Sequence, residues 1–488
     1  MNDTAKLEIS PIAAAFSLGI LGDMLLRATP WGLNFALWGC ALAASIALFR
    51  REVLKDGGQW LLLLMALSSL TFLWRDSAAL DAIGVLALLI SASLLMLRAQ
   101  GGRLRISGLA EYAFSAAIAG MNSAFGMFPL LFGAREWKKS LNGDTRRAGA
   151  LLRGVLFSVP PLMIFGLLFM GADAVFNVFV SRIFNFDLTH IFFTTFIAFG
   201  AGGYLRGLLF GKELKLAEKV SGTRPALGVI EMGVMLGLVD LLFLAFVVVQ
   251  IRYFFGGAAL VHATTGLTYA EYCRSGFFEL LAVAAILLPF LLIVHWLVRP
   301  DDAPGQRVLK WLAGVQIALL FVIMASAVQR MRLYQAEYGL SESRLYPTAF
   351  MGWLAVVFVW FCLTVLRGQR EQFAFGAMVA GFLLVATLNV INPDALIART
   401  NMQRSRAGHT FDADYLAGLS ADAVPEIVAG LPTLNPADRR KLSGAMLDRW
   451  SPAENPDWRT WTIASARAQQ AVTNNHAALR AAAAELKK

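Results

Sequence analysis

The sequence predicts an all-α fold: a polytopic membrane bundle of about eleven spans followed by a soluble helical tail. Charged residues make up 16% of the 488 residues, hydrophobic residues make up 57%, and the mean hydropathy is +0.60. A soluble domain has roughly a quarter charged residues and less than half apolar ones. Long apolar runs separated by short basic segments complete the pattern, so lipid is the predicted solvent for most of the chain.

A helix needs about 20 apolar residues to cross roughly 30 Å of hydrocarbon. Apolar runs of this kind follow one another until a polar tail begins, which predicts a transmembrane domain at 1–391 and an extracytoplasmic helical tail at 392–488. The predicted spans lie near residues 9–28, 31–49, 59–74, 78–97, 153–171, 189–210, 228–251, 276–298, 308–327, 347–366 and 374–391.

The segment from Leu109 to Phe132 does not fit this series. It is moderately apolar, is interrupted by Glu111 and Asn122, and has basic residues on both flanks. If both flanks lie in the cytoplasm, the segment cannot cross once, and an interfacial or re-entrant amphipathic helix fits better. If it does cross, one more span is added and everything after it changes sides.

Lysines and arginines predict the orientation, because basic residues in short loops stay on the cytoplasmic side. With a cytoplasmic N-terminus, the predicted cytoplasmic connections hold 23 of these residues and the opposite connections hold eight. An odd number of spans then places the C-terminal tail outside the cytoplasm. The net charge is +10, but the basic residues form no clustered face with stacking aromatics, so no nucleic-acid partner is predicted.

The tail is rich in helix-start signals, in which a capping residue precedes a proline at the first helical position. This pattern predicts about four to six short helices, with Leu442, Met446 and Trp450 on one buried face. The signals are Asn392-Pro393, Asn435-Pro436, Ser451-Pro452 and Asn455-Pro456.

Asp240 lies near the centre of the predicted span 228–251, in the sequence GLVDLLF. An ionisable residue inside a span is costly and is a functional hypothesis by default. Asp240 is therefore the predicted residue for coupling to protons or another cation. The alternative is a buried carboxylate that is satisfied by a neighbouring group or protonated outright.

Other polar residues in the spans have simpler explanations. Glu231 and His295 lie near the cytoplasmic ends of consecutive antiparallel spans, where they can relay protons or form a structural tie. Asp23 and Arg27 are four residues apart on the first span and can neutralise each other. The glycines of 200–207 follow no strand, and they indicate close helix packing or a hinge.

The predicted extracytoplasmic connections place basic and aromatic residues on one face of the membrane. Arginines beside aromatics suit an anionic headgroup, a phosphate or a carbohydrate. The alternative is structural, because Thr268 to Glu271 has capping-box spacing and interfacial tyrosines anchor most membrane proteins. The residues predicted to bind substrate are Arg252, His262, Glu271, Tyr272, Arg330, Arg332 and Tyr334.

Motifs of the common cofactor and metal sites are absent from the sequence. There is no Walker A motif, no dinucleotide-binding fingerprint, no HExxH motif and no nucleophile elbow. The three cysteines form no pattern typical of a disulfide framework or a metal site. The sequence therefore predicts no cofactor and no metal, and it assigns no catalytic residue.

Four stretches carry a resemblance to a known family. They are GGAALVHATTGLTYAEYCRSGFFEL at 256–280, RLYQAEYGL at 332–340, NPDALIARTN at 392–401 and LSADAVPEI at 419–427. They resemble bacterial membrane proteins grouped as domain of unknown function 4173, related to group 4153. Cys273 stands where that pattern has alanine or another small residue. The resemblance implies a polytopic inner-membrane protein with a helical C-terminal extension, and it implies no reaction.

Three classes of function stay open at this point. The favoured class is transport or handling of a lipid or other envelope component, with Asp240 as the coupling residue and the arginine-rich face as the binding site. The second is a membrane enzyme acting on a lipid-linked substrate, with His262, Glu271, Arg330 and Arg332 in its site. The third is a sensing or scaffold protein. The predicted partners are the bilayer, an anionic lipid or lipid-linked ligand, and an envelope protein bound by the tail.

Overall fold

Every secondary-structure element of the described residues in the computed structural model is a helix. Two compact units divide the chain, one of Met1–Leu214 with Glu454–Ile463 and one of Lys215–Ala453 with Ala464–Lys488. The structure describes residues 3–49, 57–128, 169, 173, 188–210, 228–265, 276–298, 302–452 and 455–484, with the backbone alone at 3–11, 188–189, 210 and 251–265.

The first unit is built on six described helices whose middles are strongly apolar. Their bounds are α1 Asp3–Leu26, α2 Leu33–Phe49, α3 Gly58–Trp74, α4 Ala78–Ala99, α5 Leu109–Phe125 and α6 Leu188–Phe210. Helix α1 packs closely on α6, since a Cβ added at Gly19 would lie 2.7 Å from the Cβ of Ala198, and one added at Gly202 would lie 2.7 Å from the Cβ of Ala15. These two contacts show that α1 and α6 are antiparallel.

Glycines of α6 also permit close packing of α5. A Cβ at Gly207 would lie 2.6 Å from the Asn122 side chain, and a Cβ at Gly203 would overlap the Asn122 carbonyl. The rings of Phe128 and Phe199 lie 5.7 Å apart, so the chain after Asn122 runs antiparallel to α6. The predicted packing role of residues 200–207 is confirmed.

The second unit begins with five long helices around one apolar core. Their bounds are α7 Val229–Thr265, α8 Phe277–Leu297, α9 Ala303–Tyr338, α10 Glu342–Thr364 and α11 Phe373–Ile391. Large fully buried side chains such as Phe277, Leu320 and Phe358 meet in this core. Their packing in one cluster holds α8, α9 and α10 against one another.

Seven described helices are long and apolar enough to cross a membrane, by length and composition. They cover Ala78–Ala99, His190–Leu209, Val229–Gln250, Phe277–Leu297, Ala303–Tyr338, Glu342–Arg367 and Arg370–Ile391. Shorter apolar helices at Ile12–Leu26, Leu33–Phe49 and Gly58–Trp74 coincide with the first three predicted spans. The predicted span 153–171 lies outside the described residues apart from Phe169, and α5 is not among the seven, so the count of eleven stays a prediction.

Two connections predicted to be loops are wholly or partly helical. Helix α9 continues past residue 327 to Tyr338, and α7 continues past residue 251 to Thr265. The 36 residues of α9 extend for about 54 Å, well beyond the hydrocarbon thickness. The prediction ended these spans too early because hydropathy marks where apolar residues stop, whereas polar residues with good helix propensity continue the helix.

Six short α-helices follow the last long helix, in agreement with the predicted tail. Leu442, Met446 and Trp450 are buried together as predicted. Asn392 and Asn435 cap α12 and α15, but Ser451 ends α15 and no helix starts at Asn455, so the last two predicted caps are wrong. The helices are α12 Pro393–Arg406, α13 Ala413–Gly418, α14 Val424–Gly430, α15 Pro436–Trp450, α16 Ile463–Asn474 and α17 His476–Ala484.

Candidate functional site

The residues predicted to bind substrate are only partly within the described chain. Arg330, Arg332 and Tyr334 lie on α9 beyond the predicted end of its span. The backbone of Arg252 and of His262 belongs to α7, while their side chains lie outside the described residues. Glu271 and Tyr272 lie outside them entirely, so the assembly of this site stays a prediction.

The described part of that face contains a structural contact between Arg344 and the end of α9. The guanidinium of Arg344 lies 4.3 Å from the centroid of the Tyr334 ring, which is itself 5.1 Å from the Tyr338 ring. It also donates hydrogen bonds to the carbonyls of Tyr338 and Gly339, at 3.1 and 2.6 Å. Arginine near the last carbonyls of a helix stabilises its C-terminus. Tyr334 and Arg344 therefore act here as parts of a helix end.

Tail helix α12 holds the turn between α9 and α10 from the other side. The amide of Asn401 accepts a hydrogen bond from Leu340 N and donates one to Leu340 O, both at 2.8 Å. Arg404 donates to the carbonyls of Ala336 and Glu337, the second at 2.8 Å. The buried turn groups are thus satisfied by side chains about 60 residues later in the chain.

A second set of contacts joins the start of α10 to the tail. The Tyr415 hydroxyl accepts a hydrogen bond from Glu342 N at 2.9 Å. Burial raises the pKa of Tyr415, and the nearby carboxyls of Glu342 and Asp394 raise it further. Asp394 in turn accepts hydrogen bonds from the hydroxyl and the backbone N–H of Ser420. Three of the four stretches that carry the family resemblance, namely 332–340, 392–401 and 419–427, therefore meet in one hydrogen-bonded junction.

Asp240 lies in a different kind of environment, on the buried face of α7. It is 8% exposed, and neither of its carboxylate oxygens makes a hydrogen bond to the described residues. Met232, Leu236 and Val247 share this face, and among the described helices α7 packs chiefly against α9. The carboxyl group therefore shares its helix face with apolar side chains and has no described partner.

Two glutamines in the same helix pair, Gln250 and Gln316, are buried polar residues that the sequence did not point to. Gln316 of α9 is fully buried and Gln250 of α7 is 7% exposed, and both ends of each amide lack a hydrogen-bond partner among the described residues. Hydropathy does not distinguish a single uncharged polar residue inside an apolar run. The feature that could have identified both glutamines is a polar side chain within a predicted span.

The register of α7 and α9 places Asp240 and Gln316 at the same depth. A Cβ added at Gly233 would lie 3.8 Å from Cγ1 of Val308, which fixes one contact near the start of both helices. The buried face of α7 extends from there to Gln250, so the two helices run parallel. Asp240 and Gln316 lie seven and eight residues beyond this contact, about two turns or 11 Å along. One carboxyl and one amide, both buried, therefore lie at this depth of the helix pair.

The predicted Glu231 and His295 relay shows no contact between its two members in the described chain. The Glu231 carboxylate folds back against Gly228 at the start of its own helix. An acidic group in the first turn of a helix stabilises the free N–H groups there. The contact accounts for Glu231 as a local stabiliser of α7.

A bundle of long apolar helices with a helical tail defines the chain as an integral, polytopic membrane protein. The chain belongs to the family described as Domain of unknown function (DUF4153), which matches residues 62–430, more than half of its length. The matched region extends from α3 through α14, so it includes the first part of the tail. No curated protein and no solved structure matches the chain.

Proposed function

We propose that this protein transports a lipid or another envelope component across the membrane, driven by exchange of a proton or cation at Asp240. One observation carries the proposal: Asp240 and Gln250 of α7 and Gln316 of α9 are buried without described hydrogen-bond partners, and these two helices pack on each other. Buried polar groups that serve only structure are nearly always hydrogen-bonded. Unpaired ones inside a span mark the pathway of an ion or a substrate.

The chemistry of the interface suits alternate occupancy. A charge at this depth costs several kcal/mol unless a counter-charge or a proton neutralises it, roughly 2.5 to 3.5 on insertion scales. The amide of Gln316 at the same depth can donate to the carboxylate or accept from the carboxylic acid. Binding and release of a proton therefore changes which groups pair across α7 and α9, and with it the preferred packing of the two helices.

Gln250 is a further buried polar residue, nearer the C-terminal end of α7 than Asp240. It lies ten residues beyond Asp240, about 15 Å along the helix. Ser326 of α9, 7% exposed, lies at a similar distance beyond Gln316. These residues provide polar groups between the centre of the span and its far end, which is where a proton or cation has to enter or leave.

The topology that we propose has eleven crossings, a cytoplasmic N-terminus and a C-terminal tail outside the cytoplasm, in a bacterial inner membrane. Contacts within the first unit support the odd number. The N–H of Leu33 at the start of α2 donates to Trp461 O at 2.9 Å, and Arg459 donates to Met24 O near the end of α1 at 2.7 Å. The C-terminal segment thus lies at the end of α1 that is remote from the N-terminus, as an odd number of crossings requires.

The finer family and partner assignments are part of the same proposal. Four assignments remain predictions: close relation to group 4173, a domain boundary at residue 391, an envelope partner for the tail, and an anionic lipid ligand. The residues predicted to bind that ligand are Arg252, His262, Glu271, Tyr272, Arg330, Arg332 and Tyr334. The enzyme and scaffold classes are the alternatives to transport, and either would replace it if Asp240 proved inert.

Labelling with dicyclohexylcarbodiimide tests Asp240 directly, because this apolar reagent adds to protonated carboxyl groups. We expect the Asp240 peptide of purified full-length protein to be labelled at acidic pH and progressively less as the pH rises. Mass spectrometry of the peptides measures the yield. No labelling at any pH, or equal labelling from acidic to strongly alkaline pH, identifies a carboxyl that does not exchange protons and contradicts the proposal.

Flux through proteoliposomes tests coupling with Asp240→Asn. Vesicles that contain fluorescently labelled phosphatidylglycerol and a pH gradient report lipid movement when an impermeant quencher is added. We expect Asp240→Asn to abolish the dependence of movement on the gradient, whereas Asp448→Asn, an exposed tail residue, leaves it unchanged. If the wild-type protein moves the lipid and Asp240→Asn responds to the gradient equally, coupling occurs elsewhere.

A further inference from the structure

A cleft of about 950 Å³ opens in the first unit where α1 ends and α6 begins. The segment at 457–459 forms its third side. Its charged and titratable lining consists of Asp23, Arg27, His190, Asp457 and Arg459. The cleft lies at the end of the apolar helices, which is the depth at which lipid headgroups lie in a bilayer.

A short hydrogen bond between His190 and Asp23 organises the cleft. Nδ1 of His190 lies 2.6 Å from Oδ2 of Asp23, whereas the nearest guanidinium nitrogen of Arg27 lies 3.8 Å from Oδ1. Sequence spacing predicts Arg27 as the partner of Asp23, so His190 is the nearer partner that the sequence did not indicate. The antiparallel packing of α1 on α6 brings the two residues close to one level, since Gly19, one turn before Asp23, lies against Thr194, one turn after His190.

The burial of these groups determines what a ligand can reach. Asp23 is 8% exposed, while the side chain of His190 is 55% exposed. A carboxylate accepts, so Nδ1 of His190 is the donor, and Nε2 is the ring nitrogen that a ligand can contact. The carboxylate thus lies behind the imidazole and fixes its orientation.

Arg459 brings a second guanidinium to the rim. Its side chain is held by Asp457, with contacts of 2.7 to 3.1 Å to both carboxylate oxygens, and it donates to the Met24 carbonyl at 2.7 Å. This pairing lowers the pKa of Asp457 and raises that of Arg459, so both are charged at neutral pH. Arg459 is therefore in a fixed position beside the end of α1.

The remaining wall of the cleft is apolar and continues along the helix surface. Met24 is 61% exposed and Leu37 is 42% exposed, and both line the cleft. Ile20, one turn below Met24 on α1, is 53% exposed. A ligand that fits this surface has a charged head and an apolar chain, with the chain directed along α1 toward the hydrocarbon.

We propose that this cleft binds the phosphate headgroup of an anionic membrane lipid. Arg27, Arg459 and His190 supply the donors, and Nε2 of His190 donates to a phosphate oxygen when the ring is protonated. Asp23 is a positioning residue for His190. The site goes beyond the transport proposal, because it concerns binding alone and stands whether or not Asp240 exchanges protons.

Chemical protection of His190 tests the site in the unmodified protein. Diethyl pyrocarbonate carbethoxylates accessible imidazoles, and the exposed tail residue His409 serves as an internal control. We expect dioctanoyl phosphatidylglycerol to slow modification of His190 and to leave that of His409 unchanged, as measured by mass spectrometry. Dioctanoyl phosphatidylcholine, with its balanced headgroup, should protect His190 much less.

Affinity measurements on variants complete the test. We expect His190→Gln and Arg27→Gln each to weaken binding of dioctanoyl phosphatidylglycerol by roughly tenfold, the usual loss for one charge-assisted contact. His409→Gln is the matched control and should bind like the wild type. Inorganic phosphate and glycerol phosphate as sole probes distinguish a lipid site from a free-phosphate site.

The outcomes separate cleanly. Protection by phosphatidylglycerol that His190→Gln weakens supports the proposal. Equal protection by phosphatidylcholine, or protection by inorganic phosphate as strong as that by the lipid, overturns the lipid headgroup assignment. If His190→Gln does not fold, the protection experiment on the wild-type protein still decides, since unprotected His190 at saturating lipid contradicts the proposal. None of these results depends on Asp240 or on flux.

Discussion

Polar side chains are buried both between α7 and α9 and at the junction between α9 and the tail. They differ in hydrogen bonding, which is extensive at the junction and absent from the described residues between α7 and α9. At the junction, Asn401 satisfies both main-chain groups of Leu340, and Tyr415 accepts from the N–H of Glu342. At the interface, Asp240 and Gln316 are at least as deeply buried and make no described hydrogen bond. The junction pairs most of its polar groups, although Nε of Arg344 and Nε of Arg404 lack a described partner. Asp240 and Gln316 differ because every polar atom of both side chains lacks one.

This difference changes the meaning of the family-like stretches. The most recognisable residues of the sequence, RLYQAEYGL and NPDALIARTN, build the hydrogen-bonded junction. The residues with no motif around them hold the unpaired polar groups. The recognisable stretches therefore form the turn between α9 and α10 and the side chains that hold it. The proposed coupling site depends instead on single polar residues in otherwise apolar helices.

The largest effect on stability is expected for Gly339→Ala at the junction. Gly339 has φ +78°, and a Cβ there would overlap Oδ1 of Asn401. With ψ −176° this backbone is essentially confined to glycine and costs about 1 to 3 kcal/mol for alanine, and overpacking adds about 1 to 2 more. Gly408→Ala is a control for a glycine with positive φ and open space, because φ is +81° and no atom lies within 4 Å of the added Cβ. Thermal unfolding in detergent measures both, and equal losses would show that the Asn401 contact does not matter.

An intermediate effect is expected for Asn401→Ala. Alanine leaves the N–H and the C=O of the buried Leu340 without their partners, which costs about 2 kcal/mol of unfolding free energy. The exposed Gln403 lies on the same helix, so Gln403→Ala reports the effect of truncation alone. The midpoint of unfolding should fall for Asn401→Ala and stay near the wild-type value for the control. A midpoint that does not change would mean that water replaces the amide without loss.

The smallest effect is expected for Gln316→Leu at the unpaired interface. Leucine has a similar volume and removes an amide that makes no described hydrogen bond, so stability should stay within about 1 kcal/mol of the wild type or increase. The same unfolding assay measures it. A loss of more than about 2 kcal/mol would show that the amide is hydrogen-bonded in the folded protein and would remove the contrast between the two regions.

Much of the architecture was predictable, because its causes are local in the chain. Each predicted span within the described residues coincides with a helix, and the caps at Asn392 and Asn435 form as expected. The ends of α7 and α9 were not predictable from hydropathy, since polar residues extend both helices. Asp240 was identified because a charge in a span is visible in sequence, whereas Gln250 and Gln316 carry no charge and were missed.

The sequence by itself determined where the helices form and where one carboxyl group lies within a predicted span. Hydrophobicity and helix signals act over a few residues, so the chain carries them locally. Only the tertiary structure decided which polar groups are paired. His190 reaches Asp23 across 167 residues, and Asn401 reaches Leu340 across 61. Such pairs depend on the register between helices, which close packing at glycines such as Gly19 and Gly203 sets and which spacing along the chain does not reveal.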